Sequence, residues 1–280
     1  MTSTMYFGGT GGNSQAVPDN GAGKEVVFWT GTRIDAIQID GKKYGGPGGG
    51  RVASAILPDD GVFYIKKIQT RELNGKSAVL QWLEADINGQ PISVGVYDGK
   101  LPMLDAYLPV KFIDIHSGAY VDGINFEIIF DSKYERGNQL LFGSVEALYA
   151  ELDTNTQKTM IVRSGLEIDS IQVGNAVYGG SGGRANPPVE IPANGTIYLN
   201  SLQAHQRPDH DPGTAPLTFF DANFGLEHLQ AGTPVPDAKV LKATVLNLSS
   251  GNGGMPVNLA GIYYKIGDRV TALKFHLDWR

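Results

Sequence analysis

The feature that most constrains this chain is an internal duplication. Residues 31–50 read GTRIDAIQIDGKKYGGPGGG, and residues 165–184 read GLEIDSIQVGNAVYGGSGGR. The two segments lie 134 residues apart without a gap. The register holds for Gly31/Gly165, Ile34/Ile168, Asp35/Asp169, Gln38/Gln172 and Tyr44/Tyr178, and continues through Pro58/Pro192, Gly61/Gly195 and Tyr64/Tyr198. Such a register predicts two homologous halves. A shorter form of the unit recurs at 118–126 (GAYVDGINF) and at 267–275 (GDRVTALKF). The order long, short, long, short places the halves at 1–150 and 158–280. The second pair is spaced more widely, so the second half carries an insertion, with 205–216 (HQRPDHDPGTAP) as its candidate.

The repeated segment alternates with a period of two, which is a strand signal. Ile34, Ala36 and Gln38 face one way, and Asp35, Ile37 and Ile39 the other. Further strands are expected at 25–30, 62–68, 78–83, 92–97, 110–115, 126–130, 159–163, 196–202, 217–220, 240–247 and 258–265, punctuated by Gly, Pro, Asn and Asp at hairpin spacing. Helical periodicity is confined to 139–152 (QLLFGSVEALYAEL), where a short helix or a linker would end the first half. The expected class is all-β.

Composition narrows the functions. With 37 glycines and 15 prolines in 280 residues, the chain far exceeds the roughly 12% that the two supply in ordinary proteins. There is no cysteine, which excludes disulfides and thiolate chemistry. A net charge of -6 without a Lys/Arg block argues against nucleic acid as a partner. No run of 18 apolar residues exists to form a transmembrane segment. The N-terminus lacks a charged and an apolar signal region, so cytoplasmic synthesis without a classical signal peptide is expected. Final location is left open between non-classical secretion and a virion.

The pattern of a glycine, a short gap, Ile-Asp-x-Ile, then Tyr-Gly-Gly-x-Gly-Gly, then Leu/Ile-Pro-x-x-Gly resembles the jacalin-related lectins. The resemblance implies two tandem β-prism domains of three sheets each. The alternative architecture is a double β-barrel or jelly roll. The likeness covers 31–68 and 165–202, thins at 118–130 and 267–278, and is absent from 69–109 and 204–257. The family's sugar site combines a glycine, three residues and an aspartate with the backbone of a glycine-rich loop. Carried onto this chain, it implies Gly31/Asp35, Gly118/Asp122 and Gly165/Asp169. Tyr120 lies beside the second, and the loop glycines are Gly11 and Gly12, Gly45, Gly46, Gly48 and Gly49, and Gly179, Gly180, Gly182 and Gly183. Asp122 matches the family's position best. The fourth copy departs from the pattern, because Thr271 stands where the aspartate would be. The implied partners are mannose- or galactose-type glycans.

The physical requirement points the same way. Sugar hydroxyls need a carboxylate acceptor beside backbone donors, often over an aromatic floor, for which Trp29, Tyr44 and Tyr120 are at hand. The same aspartates and glycines would also serve as simple turn formers. His205, Asp209 and His210 are weak metal candidates whose spacing fits no standard signature, so no metal and no cofactor is expected. Gly-x-Ser-x-Gly is absent, and no catalytic residue is assigned. Two functions compete. One is a non-catalytic lectin made multivalent by duplication. The other is a structural protein, such as a virion capsid or tail subunit. In that reading Met5, Tyr6, Phe7, Phe275, Leu277 and Trp279 are interface elements and the chain is a homo-oligomer.

Overall fold

The computed structural model describes residues 3–9, 11–73, 77–153, 158–205, 215–234, 243–250 and 253–278. It is all-β. The strands group into six four-stranded antiparallel units, three per half. Each unit has strands a, b, c and d, which pair in the spatial order c-b-a-d. In the first two units of each half they follow one another in the chain, and in the third c and d come before a and b.

In the first unit these are Glu25–Thr30, Ile34–Ile39, Lys42–Gly45 and Gly50–Ile56. The second unit uses Phe63–Leu73, Ser77–Ile87, Gln90–Gly95 and the start of the long strand Met103–Ser117. The end of that long strand opens the third unit and pairs with Val121–Ile128. The N-terminal strands Ser3–Gly8 and Asn13–Ala16 complete it. The second half repeats this plan. Its first unit comprises Lys158–Ser164, Ile168–Val173, Ala176–Gly179 and the pieces Arg184–Ala185 and Val189–Ile191. Its second comprises Thr196–His205, Leu217–Phe224, Glu227–Gly232 and Ala243–Ser249. Its third joins Met255–Tyr264 and Val270–Leu277 to Gln139–Gly143 and Leu148–Glu151.

The stretch that reads as a helix by periodicity, 139–152, is therefore two strands. Leu140 and Phe142 are fully buried, and Gly143 takes a φ of 123°, which no α-helix accommodates. By its pairings this stretch lies with the second half, not at the end of the first.

The halves are stitched by strand pairing. Ser3–Gly8 also pairs with Ala243–Ser249, and Gln139–Gly143 also pairs with Met103, Leu104 and Asp105. Each half thus lends an edge to the other, which covers backbone groups that would otherwise be open. Phe7 and Phe142 meet edge to face at 6.2 Å, and the Thr70 and Thr244 hydroxyls share a hydrogen bond. Inside the first half, Phe63, Phe112 and Phe126 form an aromatic cluster with centroids 4.7–6.2 Å apart. Met5, Phe7 and Phe275 have no exposed surface and Leu277 very little. These residues, expected as interface elements of a structural subunit, belong to the chain's own core because they take the inward-facing positions of their strands, whose alternate positions Tyr6, Lys274 and His276 reach the surface. Trp279 lies outside the described residues.

Candidate functional site

All six units turn the same corner. Strand a carries a bulge near its end, at Trp29/Thr30, Gln69/Thr70 and His116/Ser117, and again at Arg163/Ser164, Gln203/Ala204 and Tyr263/Tyr264. Strand c ends on a glycine of positive φ: Gly45 (120°), Gly95 (85°), Gly8 (146°), Gly179 (115°), Gly232 (84°) and Gly143 (123°). A Cβ on any of them would overlap the backbone of strand b. The next amide then donates to one residue of strand b. Gly46 reaches the Asp35 carbonyl at 3.0 Å, Val96 that of Gln81 at 3.2 Å and Gly9 that of Asp122 at 2.8 Å. In the second half Gly180 reaches Asp169 at 2.9 Å, Thr233 reaches Thr218 at 3.1 Å and Ser144 reaches Thr271 at 3.0 Å. The six acceptors are equivalent positions. Three carry aspartate.

At Asp35 the Gly31 amide donates to Oδ2 at 2.8 Å. The loop between strands c and d closes over the carboxyl. A Cβ on Gly48 would lie 2.8 Å from Oδ1, and one on Gly49 would lie 2.7 Å from Oδ2. Only backbone fits there. Among the described residues, the Gly48 and Gly49 amides donate to no protein acceptor. Gly31, Gly48 and Gly49 are exposed around a carboxyl that is itself 6% exposed.

Asp122 repeats this arrangement with Gly118 as the amide donor and Gly12 against the carboxyl, where a Cβ would lie 2.6 Å from Oδ2. Burial lifts the Asp122 carboxyl to about 6, and the single bond from Gly118 does not offset it. Tyr6 donates to the Gly9 carbonyl behind this site. Burial, together with the charges of Asp122 and Asp114, holds its phenol far above the usual tyrosine range. At Asp169 the glycines are Gly165, Gly182 and Gly183. Burial raises this carboxyl, Glu167 adds to the rise, and the Arg163 guanidinium opposes it.

The remaining corners hold no carboxylate. Gln81 donates to the Val96 carbonyl at 3.0 Å, and Gln69 accepts from the Asp98 amide at 2.9 Å. The loop 96–101 is thus folded down onto the corner. Thr218 and Thr271 are buried with their hydroxyl oxygens unpaired. Gln81 and Thr218 escape sequence reading because only Gly95 and Gly232 mark their units. Gly95 lies as far beyond Gln81 as Gly232 lies beyond Thr218, and that spacing is the signal that could have found them.

The other expected site residues divide between two jobs. Gly45 and Gly179 form the corner itself. Gly46 and Gly180 are buried against the Ala119 and Asp268 carbonyls, where a side chain would overlap. Gly11 is buried and Gly12 is exposed. Tyr44 is fully buried, its hydroxyl donating to Ala16 at 3.2 Å, so it is core and no floor for a ligand. Tyr120 is half-buried under the Arg33 guanidinium, 4.2 Å from its centroid. This contact joins the Asp35 and Asp122 hairpins. Its counterpart in the second half is an ion pair, Glu167 with Arg269 at 3.6 Å.

His205 lies 3.7 Å from Glu72, and Asp209 and His210 lie outside the described residues. Among the described residues no group of three or more His, Asp or Glu could hold a metal ion. Among the described residues no helix is long and apolar enough to cross a membrane.

No family model matches this chain, and no curated protein matches it. Solved structures similar to it include the second β-prism domain of RbmC from V. cholerae bound to N-acetylglucosaminyl-β-1,2-mannose. That likeness has 16% identity and a TM-score of 0.34, and covers 48% of this chain and 96% of that one. The same RbmC domain without that ligand gives 16% identity and a TM-score of 0.34, covering 49% and 96%. The V. cholerae biofilm matrix protein Bap1 is 11% identical at a TM-score of 0.34, covering 94% of this chain and 55% of that one.

Proposed function

We propose that this chain is a non-catalytic glycan-binding protein in which Asp35, Asp122 and Asp169 accept hydrogen bonds from sugar hydroxyls. One observation carries the reading. The corner is built six times, and three times it closes without a carboxylate, on Gln81, Thr218 or Thr271. The turn therefore does not require aspartate. Where aspartate is kept, the facing loop is stripped to glycine and brings only backbone against the carboxyl. A buried carboxylate with one amide donor has acceptor capacity to spare, and the Gly48 and Gly49 amides supply donors beside it. That is the mixed acceptor and donor set a sugar diol needs. Neutral mannose- or galactose-type sugars suit it, and three shallow sites on one chain gain by multivalency on a branched or repetitive glycan.

Binding of the labelled full chain to an array of neutral glycans tests this, followed by titration of the bound class against the triple variant Asp35→Asn/Asp122→Asn/Asp169→Asn. Saturable binding that the triple variant loses, at a thermal midpoint no lower than that of the native chain, is expected. A triple variant that binds as tightly as the native chain overturns the reading.

A further inference from the structure

The two copies of the first unit share the Gly-x-x-x-Asp corner but differ at its rim. In the second half an open cleft of ≈ 530 Å³ adjoins the corner, lined by Ser164, Gly165, Arg184, Asn186, Pro187 and Gly232 among others. Gly165 and Gly183, the neighbour of Arg184, both face the Asp169 carboxyl, so cleft and carboxyl are contiguous. The walls are polar and held in place. Asn186 donates to the Ser164 hydroxyl at 2.9 Å and to the Val162 carbonyl at 3.0 Å. The Gly232 amide also donates to the Ser164 hydroxyl, at 2.9 Å. These bonds use the Asn186 amide nitrogen and the acceptor side of Ser164, which leaves the Asn186 carbonyl and the Ser164 proton for a ligand.

Arg184 lines the cleft and Arg163 acts on the Asp169 carboxylate, while the neighbouring Glu167 and Asp268 carboxylates are paired by Arg269. Arg163 spends its guanidinium on the Gly182 and Gly183 carbonyls, at 3.1 and 3.0 Å, and among the described residues it has no ion pair. Arg184 is exposed, and among the described residues its guanidinium has neither an ion pair nor a hydrogen bond. The equivalent positions of the first half, in the 134-residue register, are Trp29, Gly50 and Val52 for Arg163, Arg184 and Asn186. Val52 is 57% exposed. The first-half rim therefore presents an apolar side chain and no charge where the second presents an arginine and an amide. In a chain of net charge -6 this is local complementarity to an anion, not bulk attraction.

We propose that the cleft beside Asp169 is a subsite for an acidic sugar, in which Arg184 pairs with the carboxylate of a uronic acid residue linked to the sugar held at Asp169. The planar guanidinium fork matches a carboxylate in two parallel hydrogen bonds. Ser164 and Asn186 present a donor and an acceptor to ring hydroxyls, and the Arg163 charge offsets the repulsion that Asp169 would exert on the incoming anion. The inference rests on the glycan-binding reading of Asp169 and adds the ligand class.

Calorimetric titration of the full chain at pH 7 with tetragalacturonate and with its carboxyl-reduced galactose counterpart tests it. The native chain should bind the uronate form at least ~10-fold more tightly, a difference of about one decade in Kd. Arg184→Gln should erase that preference and leave affinity for the reduced form unchanged, whereas Arg51→Gln should keep it. A native chain without the preference, or an Arg184→Gln variant that retains it, overturns the subsite. A sulfated galactan of equal length that binds as tightly and survives Arg184→Gln also overturns it, by showing bulk electrostatics. The two readings fail separately. If Asp169→Asn leaves uronate binding intact while Arg184→Gln abolishes it, the subsite stands and the role of Asp169 falls.

Discussion

The third units of the two halves occupy equivalent places and reach opposite ends. Around Asp122 the facing loop is Gly9-Thr-Gly-Gly, and its glycine backbone lies against a carboxyl. Around Thr271 the loop is Ser144-Val-Glu-Ala. There the hydroxyl is buried with no partner, and the Ser144 hydroxyl turns to the Gly99 carbonyl at 3.5 Å. Corner, bulge and main-chain bond are the same in both. The architecture is thus indifferent to the carboxylate, and glycine loop and aspartate are kept or lost together. That pairing is expected of a binding site and not of a turn-former, because a turn needs neither the open rim nor the desolvated charge.

The largest test separates architecture from site. Gly8→Ala and Gly143→Ala should each cost about 3–4 kcal/mol, measured by chemical denaturation. Each adds a Cβ against strand b at a positive φ. Equal losses are expected despite the difference between Asp122 and Thr271, and a large inequality would break the equivalence of the two corners. Next comes the hairpin contact. Arg269→Ala should cost about 3 kcal/mol in thermal or urea melts, because Arg269 is buried and its removal strands Glu167.

Within the site, Asp122→Asn should lower glycan affinity at that corner by ~10-fold or more, a loss near 1.4 kcal/mol by titration. Thr271→Asp should gain no binding, since its loop lacks the glycines.

The Asp122 carboxyl also fixes a pH signature. Its folded value of about 6 lies above the ordinary 3.8. The folded chain therefore holds more protons between those values, and stability falls as pH rises through this window. The contribution is full below the unfolded value and lost above about 6. Affinity runs the other way, since the ionised form offers both oxygens as charged acceptors, whereas protonation turns one of them into a donor. It should rise from pH 5 to 7, and Asp122→Asn should abolish both trends. The smallest effect is Arg33→Ala, about 0.5–1 kcal/mol, because the Arg33–Tyr120 stack is partly exposed where Glu167–Arg269 is buried.

Much of this was legible in the chain. Alternation placed Glu25–Thr30 at its observed bounds, and the duplication located Asp35, Asp122 and Asp169 with the threonine that replaces the fourth. The misreadings have physical causes. Leu140, Leu141 and Phe142 are consecutive and all buried, so both faces of their strand are covered, the alternation that would reveal it is lost and a helical spacing appears instead. Tyr44 sits in a glycine-rich stretch that looks exposed, yet it is core. Gln81 and Thr218 were invisible because their units share a shape with the others and almost no residues.

By itself the sequence determined the all-β class, since this rests on local periodicity, and it named the aspartates that are proposed as sugar acceptors, since that rests on side-chain chemistry. Only the tertiary structure decided that the unit occurs six times among the described residues, that the N-terminal strand closes the third unit and lends its edge to the other half, and that the Arg184 guanidinium lines the cleft next to the Asp169 corner. Those facts depend on long-range strand pairing, which brings together residues that no local pattern connects.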